Sequence, residues 1–297
     1  ADLAQRHAPF PMTEVQQAYW LGRDPSLVLG GVSCHFYREY DVEDLDLPRL
    51  QHALQCLIER HEMLRAVFDH SGQARILQQV PAFVIGQGHA SLEELREHCA
   101  HRVFAPHQWP LFDVQTVPHG RHTRLAISLD NLILDALSIL RFYTELDALY
   151  REPDIALAPL DLSFRDYQLQ CAAAPEELHA AQRFWQERLP ELPPHPQLPL
   201  AADPASLGRP RFERLQGQID ASAWQAILSK AQQQGLTASA VLLCAFAETL
   251  GRWSARPDLS LNLTLFDRRP VHPQIDQVMG DFTSLTLLGY VPVAGDR

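Results

Sequence analysis

Two aspartates, Asp130 and Asp135, lie five positions apart in the segment DNLILD, with mostly apolar residues between them. A carboxylate that faces a cleft can transfer protons or orient a reacting group. The segment follows an apolar strand and precedes an amphipathic helix, a junction at which side chains often face a cleft. The same residues also fit a polar strand end and a helix cap, so both interpretations stay open.

The familiar signatures of cofactor binding and covalent catalysis are absent from the sequence. It has neither a phosphate loop of the G-x-x-x-x-G-K-[ST] type nor a G-x-S-x-G elbow, and residues 86–88 (GQG) lack the third glycine of a dinucleotide turn. His98 and His101 have H-x-x-H spacing, as have His119 and His122, but neither pair has the carboxylate or Cys partners that a metal site normally adds. We therefore expect no metal site.

The elements on either side of the aspartates are predicted from periodicity. Residues 122–130 favour a strand, and residues 136–150 have apolar side chains at helical spacing, with Asp135 as a natural N-cap. Upstream, Thr13 and Gln16 form the T-x-x-Q pattern of a capping box, which indicates a helix start. Further strands are predicted within 32–42, 63–69, 74–80 and 113–120, and further helices within 47–61, 91–104, 164–173 and 176–189.

A proline-rich segment divides the chain. Seven prolines lie between Pro190 and Pro210, which disfavours regular helix and predicts an extended connector. We assign an N-terminal lobe to 1–189, the connector to 190–213 and a partial C-terminal lobe to 214–297. Strands are predicted in this last part at 212–219, 259–267 and 283–293, and helices at 222–234 and 237–253. The mixed order of strands and helices predicts an α+β or α/β protein of two lobes.

Composition narrows the classes of function. The formal net charge is −11 and Lys230 is the only lysine, which argues against a nucleic-acid partner. No apolar run approaches the roughly 20 residues that span a bilayer, and the first ten residues lack a secretory pattern. Five scattered cysteines suit a reducing compartment, so we expect a cytoplasmic protein without a membrane partner. The absent initiator Met and the ending VPVAGDR suggest a segment of a longer protein.

Seven motifs follow one another along the chain: FPMTEVQQAYWLGR (10–23), RHEMLR (60–65), DNLILD (130–135), the connector containing LPELPPHPQLPL, PRFERL (210–215), TLFDRRP (264–270) and GDFTSLTLL (280–288). In this order they resemble the core motifs of heterocyclization domains of non-ribosomal peptide synthetases. Ordinary condensation domains of these assembly lines have H-H-x-x-x-D-G at the junction where this chain has D-x-x-x-x-D. The overall pattern is similar to siderophore synthetases of the pyochelin and yersiniabactin type.

The resemblance implies two chloramphenicol-acetyltransferase-like lobes in a V, with DNLILD at the floor of a tunnel between them. Family members are longer than this chain, and their later motifs carry a threonine and an aspartate implicated in cyclodehydration, so we expect an incomplete second lobe here. It implies upstream and downstream peptidyl or aryl carrier domains and an adjacent adenylation domain as partners. Phosphopantetheine would arrive on those carriers, with no cofactor bound directly.

The implied reaction joins a carrier-bound acyl or aryl thioester to carrier-bound Cys, Ser or Thr. The side chain of the acceptor then attacks the new amide, and loss of water gives a thiazoline or oxazoline. Two alternatives stay open: a truncated or degenerate module that only docks carriers, and condensation without ring closure.

The resemblance also suggests roles for individual residues. Asp130 and Asp135 are the candidate catalytic residues; burial would raise the pKa of Asp130 and make it a better proton carrier. Asp135 is expected to pair with Arg65 or Arg268 as structural support. Candidates for substrate binding are Asn131, Asp281 and Thr283; Tyr19 either lines the tunnel or packs in the core.

Overall fold

The computed structural model describes residues 5–292, which form eight strands and eight α helices joined by turns and short 3₁₀ helices. The strands are β1 (Phe10–Pro11), β2 (His35–Val42), β3 (Ala66–Phe68), β4 (Gln73–Ile76), β5 (Phe112–His119), β6 (His122–Asp130), β7 (Leu259–Phe266) and β8 (Thr283–Tyr290). The helices are α1 (Glu14–Leu21), α2 (Leu47–Arg60), α3 (Leu92–Ala100), α4 (Ala136–Arg151), α5 (Phe164–Gln170), α6 (Pro175–Arg188), α7 (Ala221–Gln233) and α8 (Ala238–Trp253).

The chain divides into two compact units. The first takes residues up to 172 together with 207–210 and 265–284, and the second takes 173–206, 211–264 and the residues from 285 on. The predicted connector, 190–213, contributes residues to both units. The lobe boundaries assigned from the sequence stay a prediction.

The main sheet of the first unit positions Asp130. Its strands are antiparallel in the order β2-β6-β5, and the register pairs Asp130 with His35 of β2 at the end of β6. Residues 125–130 of β6 are all buried, so this strand is covered on both faces. A second antiparallel sheet has the order β1-β4-β3, and β7 pairs with β8 in a two-stranded sheet.

Helices α2 and α4 both contribute to the core of the first unit. The predicted apolar stripe of α2 is buried, and α2 packs on α4. Their side chains join one continuous hydrophobic cluster with β5, β6 and the segment around Met279 and Phe282. Helix α3 packs on β5 and β6 and buries Leu95 and Cys99 there. Burial of these apolar faces is the main force that places β6 and α4 next to each other.

Side-chain caps define where the site helices begin. At α1, the Thr13 side chain accepts from the Gln16 backbone N–H while Gln16 accepts from the Thr13 N–H, each at 3.0 Å. This confirms the predicted capping box. Asp135 caps α4 through the Ser138 N–H at 2.7 Å, as predicted, and Ser91 caps α3.

The structure corrects one predicted strand and shortens others. Residues 212–219 form no strand in the described part of the chain; their side chains are exposed, with Phe212 at 72% and Leu215 at 95%. Alternation of apolar residues is insufficient there, because a strand also requires a neighbouring strand to pair its N–H and C=O groups. The strand predicted at 63–69 begins instead with a 3₁₀ helix, Glu62–Arg65. Residue 293, the end of the last predicted strand, lies outside the described residues.

Within residues 5–292, no single helix is both long and apolar enough to cross a membrane. Helices α7 and α8 reach the required length and apolar composition only when they are taken together, and the pair is bent by 103°.

Candidate active site

Asp130 is fully buried at the end of β6, with 0% of its surface exposed. Its Oδ1 accepts a hydrogen bond from the Leu132 N–H at 2.9 Å, and its Oδ2 accepts one from the guanidinium of Arg23. Burial raises the pKa of Asp130, and the Arg23 charge opposes that rise. Both carboxylate oxygens are therefore already engaged by the protein.

Arg23 follows the C-terminus of α1 and is almost as buried as its partner, with 7% of its side chain exposed. It also donates to the carbonyl oxygens of Tyr19 and, at 3.4 Å, of Phe104. Buried ion pairs are stable only when such additional hydrogen bonds satisfy the remaining donors. Arg23 thereby fixes the end of α1 to the end of β6.

Asp135 forms the second arginine pair of the motif. Its Oδ1 accepts from the Arg268 Nη2 at 2.9 Å as well as from the Ser138 N–H. Arg268 also donates to the Ile275 and Val278 carbonyls at 3.0 and 2.7 Å, and its guanidinium stacks on Phe282 at 3.9 Å from the ring centre.

Of the two arginines suggested as partners of Asp135, the structure selects Arg268. Arg65 instead donates to the carbonyl oxygens of Ile58 and Leu77, each at 3.0 Å. In the structure Asp135 pairs with Arg268, and the Arg65 guanidinium donates its hydrogen bonds to backbone carbonyl oxygens. Arg65 is occupied by backbone acceptors around the 3₁₀ helix in which it lies.

Gly280 is hydrogen-bonded to residues at the start of α4. The Asp135 N–H donates to the Gly280 carbonyl at 2.9 Å, and the Ser138 Oγ donates to the same carbonyl at 2.9 Å and accepts from the Gly280 N–H at 3.0 Å. A Cβ at position 280 would lie 2.2 Å from the Phe164 ring, so only glycine fits this approach. The neighbouring Asp281 is placed by these contacts.

Asp281 is buried, and no ion pair joins it to a cationic side chain among residues 5–292. It is 1% exposed, its Oδ1 accepts from the Thr283 N–H at 3.2 Å, and its Oδ2 has no hydrogen-bond partner among the residues that the structure describes. Burial raises the pKa of Asp281 to about 7; hydrogen bonds from Thr283 lower it, and the nearby charge of Asp135 raises it. Both the protonated and the ionised forms are therefore populated near neutral pH.

Asn131, Cys34 and Tyr19 are less buried than the three aspartates. The Asn131 N–H donates to the Cys34 carbonyl at 3.0 Å, and its Nδ2 donates to the Cys34 Sγ at 3.3 Å. The Asn131 Oδ1 is buried and accepts no hydrogen bond from residues 5–292. Burial raises the pKa of Tyr19 to about 12, and Asp281, Cys34 and Asp130 add to the rise. These groups therefore lie within electrostatic reach of one another.

Gln16 connects α1 to the loop between the two aspartates. It is completely buried, and its Nε2 donates to the Leu132 carbonyl at 2.6 Å while its Oε1 completes the capping box. The T-x-x-Q pattern predicted the cap but not this second contact. The first motif, residues 10–23, thus supplies three contacts to the site through Gln16, Tyr19 and Arg23.

The structure brings six of the seven predicted site residues into one region of the first unit, and it places Arg65 elsewhere. The six are Asp130, Asn131, Asp135, Arg268, Asp281 and Thr283. Sequence reasoning missed Arg23, Ser138 and Cys34. Arg23 was detectable only as the last residue of the first motif, and neither Ser138 nor Cys34 belongs to a motif.

The two histidine pairs are accounted for by other contacts. His98 bonds to Asp113 at 3.1 Å and lies beside Arg102, and His119 and His122 face each other across the β5–β6 hairpin. In the described part of the chain, no group of three or more His, Cys, Asp or Glu side chains could hold a metal ion.

Comparison with known proteins relates this arrangement to assembly-line enzymes. The chain is 38% identical to pyochelin synthetase PchF of Pseudomonas aeruginosa, covering 99% of this chain and 17% of that protein. It is 34% identical to phenyloxazoline synthase MbtB of Mycobacterium tuberculosis, covering 100% of this chain and 22% of that protein. The chain thus spans about a fifth of the length of these curated relatives.

Solved structures of non-ribosomal peptide synthetases are also similar to this chain. The EpoB NRPS cyclization-docking bidomain from Sorangium cellulosum has a TM-score of 0.89 and 36% identity, over 99% of this chain and 61% of that one. The NRPS FmoA3 has a TM-score of 0.81 and 33% identity, over 96% of this chain and 29% of that one. The predicted mixed α/β class is confirmed by these matches. The family model described as Condensation domain matches residues 35–292, and the chain belongs to the condensation-domain family.

Proposed function

We propose that the chain is a heterocyclization domain of a non-ribosomal peptide synthetase. It joins a carrier-bound acyl or aryl thioester to a carrier-bound Cys, or Ser or Thr, and then closes the amide to a thiazoline or oxazoline with loss of water. A role in siderophore biosynthesis belongs to the same proposal. The similarity to pyochelin synthetase, to phenyloxazoline synthase and to a cyclization bidomain supports it.

The observation that carries the proposal is the burial of both aspartates of the DNLILD segment and their pairing with arginines. It stands at the strand-to-helix junction where ordinary condensation domains have H-H-x-x-x-D-G. Asp130 and Asp135 are both buried there, and each is paired with an arginine. Both oxygens of Asp130 and the Oδ1 of Asp135 are hydrogen-bonded, which defines the shape of the loop. The Asp135 Oδ2 and the Asn131 Oδ1 accept no hydrogen bond from residues 5–292.

Amide formation demands little acid–base chemistry from this site. The thioester is already activated, and two substrates tethered to carriers react at high effective concentration. A histidine base is then dispensable. In this scheme the Asn131 Oδ1 accepts a hydrogen bond from the substrate, while the Asp130–Arg23 and Asp135–Arg268 pairs keep its loop in place.

The partners and the setting are part of the proposal. Upstream and downstream carrier domains present the two substrates on phosphopantetheine arms, and an adenylation domain loads the downstream carrier. The chain itself then needs neither a metal nor a bound cofactor. Its five cysteines are free thiols, which fits a cytoplasmic setting.

The test uses the full protein with two carriers, one loaded with an aryl thioester and one with cysteine. The product is released from the carrier, and its molecular mass is measured by mass spectrometry. A product lighter than the linear amide by one water is expected. Linear amide alone would indicate condensation without ring closure, and no product would indicate a module that only docks carriers; either result overturns the proposal. Serine and threonine on the second carrier measure the acceptor preference.

A further inference from the structure

Gln16 makes two hydrogen bonds through one buried side chain, and they hold two different parts of the first unit. Its Oε1 accepts from the Thr13 N–H at 3.0 Å, which completes the capping box of α1, and its Nε2 donates to the Leu132 carbonyl at 2.6 Å. The residue is 0% exposed. Both partners are backbone groups, one a donor and one an acceptor, so the orientation of the Gln16 amide is defined.

The capping box by itself does not require glutamine at position 16. A glutamate at the third residue of a helix accepts the same hydrogen bond, and its negative charge is also favourable near a helix N-terminus. An ionised carboxylate, however, has no proton to donate to the Leu132 carbonyl. The amide group of Gln16 is therefore explained by the contact with Leu132 and not by the cap of α1.

The backbone of the loop next to Asn131 is held at several points. The Leu132 N–H donates to the Asp130 Oδ1 at 2.9 Å, and the Leu132 carbonyl accepts from Gln16. The Asn131 N–H donates to the Cys34 carbonyl at 3.0 Å. Because Leu132 directly follows Asn131, a rotation of its backbone would move the Asn131 side chain. The hydrogen bond from Gln16 opposes that rotation from a separate helix.

Helix α1 has other attachments to the first unit besides Gln16. Arg23, which follows its C-terminus, pairs with Asp130, and Tyr19 and Trp20 pack against the large hydrophobic cluster. Loss of the hydrogen bond from Gln16 to Leu132 should therefore shift the loop locally and leave α1 in place.

We propose that Gln16 is a positioning residue for amide formation, which sets the place of the Asn131 side chain through its hydrogen bond to the Leu132 carbonyl. The inference rests on the proposed function, in which the Asn131 Oδ1 accepts a hydrogen bond from the substrate. Gln16 itself touches neither the substrate nor the reacting atoms in this scheme. It acts only through the loop, so it should affect the rate of the reaction and not the affinity for the loaded carriers.

Gln16→Met tests the inference in the full protein with both carriers loaded. Methionine has a similar volume, but it cannot donate to the Leu132 carbonyl. We expect kcat for amide formation to fall roughly 10- to 100-fold, while KM for the loaded carriers stays within about twofold. Gln170→Met, at an exposed position of α5, is the matched control and should leave both constants unchanged. An unchanged kcat, or a loss that lies wholly in KM, overturns the inference.

A double-mutant cycle shows whether Gln16 acts through Asn131. Asn131→Ala removes the acceptor oxygen, so the further change Gln16→Met should then lower kcat by no more than about twofold, because residues that act as a unit have non-additive effects. The same large loss of kcat with and without the Asn131 side chain would mean that Gln16 acts by another route, and it overturns the inference.

Gln16→Glu gives a readout that does not depend on the folding of Gln16→Met. The new carboxyl group keeps an acceptor for the Thr13 N–H, but it can donate to the Leu132 carbonyl only when it is protonated. Burial raises the pKa of such a group above its usual value of about 4.3. The rate of this variant, divided by that of the unmodified protein at the same pH, should therefore rise as pH falls.

The division by the unmodified rate cancels the titration of other groups of the site, among them Asp130 and Asp281. The corresponding ratio for Gln16→Met should not change with pH, because methionine does not titrate. A ratio for Gln16→Glu that shows no rise towards low pH overturns the inference. If the unmodified protein yields no amide at all, the proposed function itself fails.

Discussion

Arg23 and Asp130 form an ion pair whose two side chains are 7% and 0% exposed, and they join the end of α1 to the end of β6 over 107 positions of sequence. Both charges are removed from water, so each is stabilised by the opposite charge of its partner in place of the solvent. Because Leu132 and Asn131 follow directly, this pair also controls the shape of the loop that carries the candidate site.

Removing Arg23 should destabilise the protein strongly. Arg23→Ala leaves the Asp130 carboxylate buried without its countercharge, and we expect a loss of about 3–5 kcal/mol in the free energy of unfolding. Urea unfolding followed by circular dichroism measures this loss. A control change, Arg38→Ala, removes an exposed arginine of the neighbouring strand β2 and should have a much smaller effect. Similar losses for both variants would contradict the prediction.

The same variant should be sensitive to pH. Burial already raises the pKa of Asp130, and Arg23 limits the rise, so its removal raises that pKa further. A buried Asp with a raised pKa binds more protons in the folded than in the unfolded state, so its contribution to stability is lost as pH rises through the folded pKa. Arg23→Ala should therefore be relatively more stable at acid pH than at pH above neutrality.

Asp135 should be coupled energetically to Arg268 and not to Arg65. Double-mutant cycles with Asp135→Ala test this, and we expect a coupling of about 1–3 kcal/mol for Arg268→Ala, because the two side chains share a buried hydrogen bond. For Arg65→Ala, the effects should add within about 0.5 kcal/mol. A larger coupling with Arg65 would mean that the contact seen between Asp135 and Arg268 is not the one that matters for stability.

Gly280 should tolerate no side chain. Gly280→Ala places a Cβ 2.2 Å from the Phe164 ring, and we expect a loss of about 1–3 kcal/mol from overpacking, measured by thermal unfolding. Gly88→Ala is the control, because a Cβ there meets nothing within 4 Å. Phe164→Leu should recover part of the stability when combined with Gly280→Ala. Failure of that combination would place the origin of the loss elsewhere.

Asp281 should make stability depend on pH between its unfolded and folded pKa values, 3.8 and about 7. Across this range the folded state binds more protons than the unfolded state, so stability falls as pH rises. Asp281→Asn removes this pH-dependent contribution. From pH 4 to pH 8, the free energy of unfolding of the variant should therefore rise relative to that of the unmodified protein, by an amount on the order of a few kcal/mol. A difference independent of pH would show that Asp281 has an ordinary pKa.

Much of the local structure was predictable because it depends on neighbours in sequence. The caps at Thr13, Ser91 and Asp135 and the apolar stripe of α2 were all predicted from spacing alone, since capping and amphipathicity act within a few residues. The strand expected at 212–219 failed because strand formation needs a partner from another part of the chain.

The candidate site was predictable only in part. Motif resemblance pointed to Asp130, Asn131, Asp135 and Asp281, and the structure brings these residues into one region. Motif position alone could not choose between the two arginines offered as partners of Asp135. It assigned Asp281 to substrate binding, and it gave no reason to expect that this aspartate, unlike Asp130 and Asp135, lacks an arginine partner among residues 5–292.

The sequence by itself determined the family, the order of its motifs and most helix boundaries, because these follow from residue identity and short-range spacing. Only the tertiary structure decided which arginine neutralises which aspartate. Burial and pairing are set by residues far apart in the chain: Arg23 pairs with Asp130, Arg268 pairs with Asp135, and in the part of the chain that the structure describes no cation pairs with Asp281. Those long-range contacts govern the charge of each carboxylate, and hence the chemistry that it can perform.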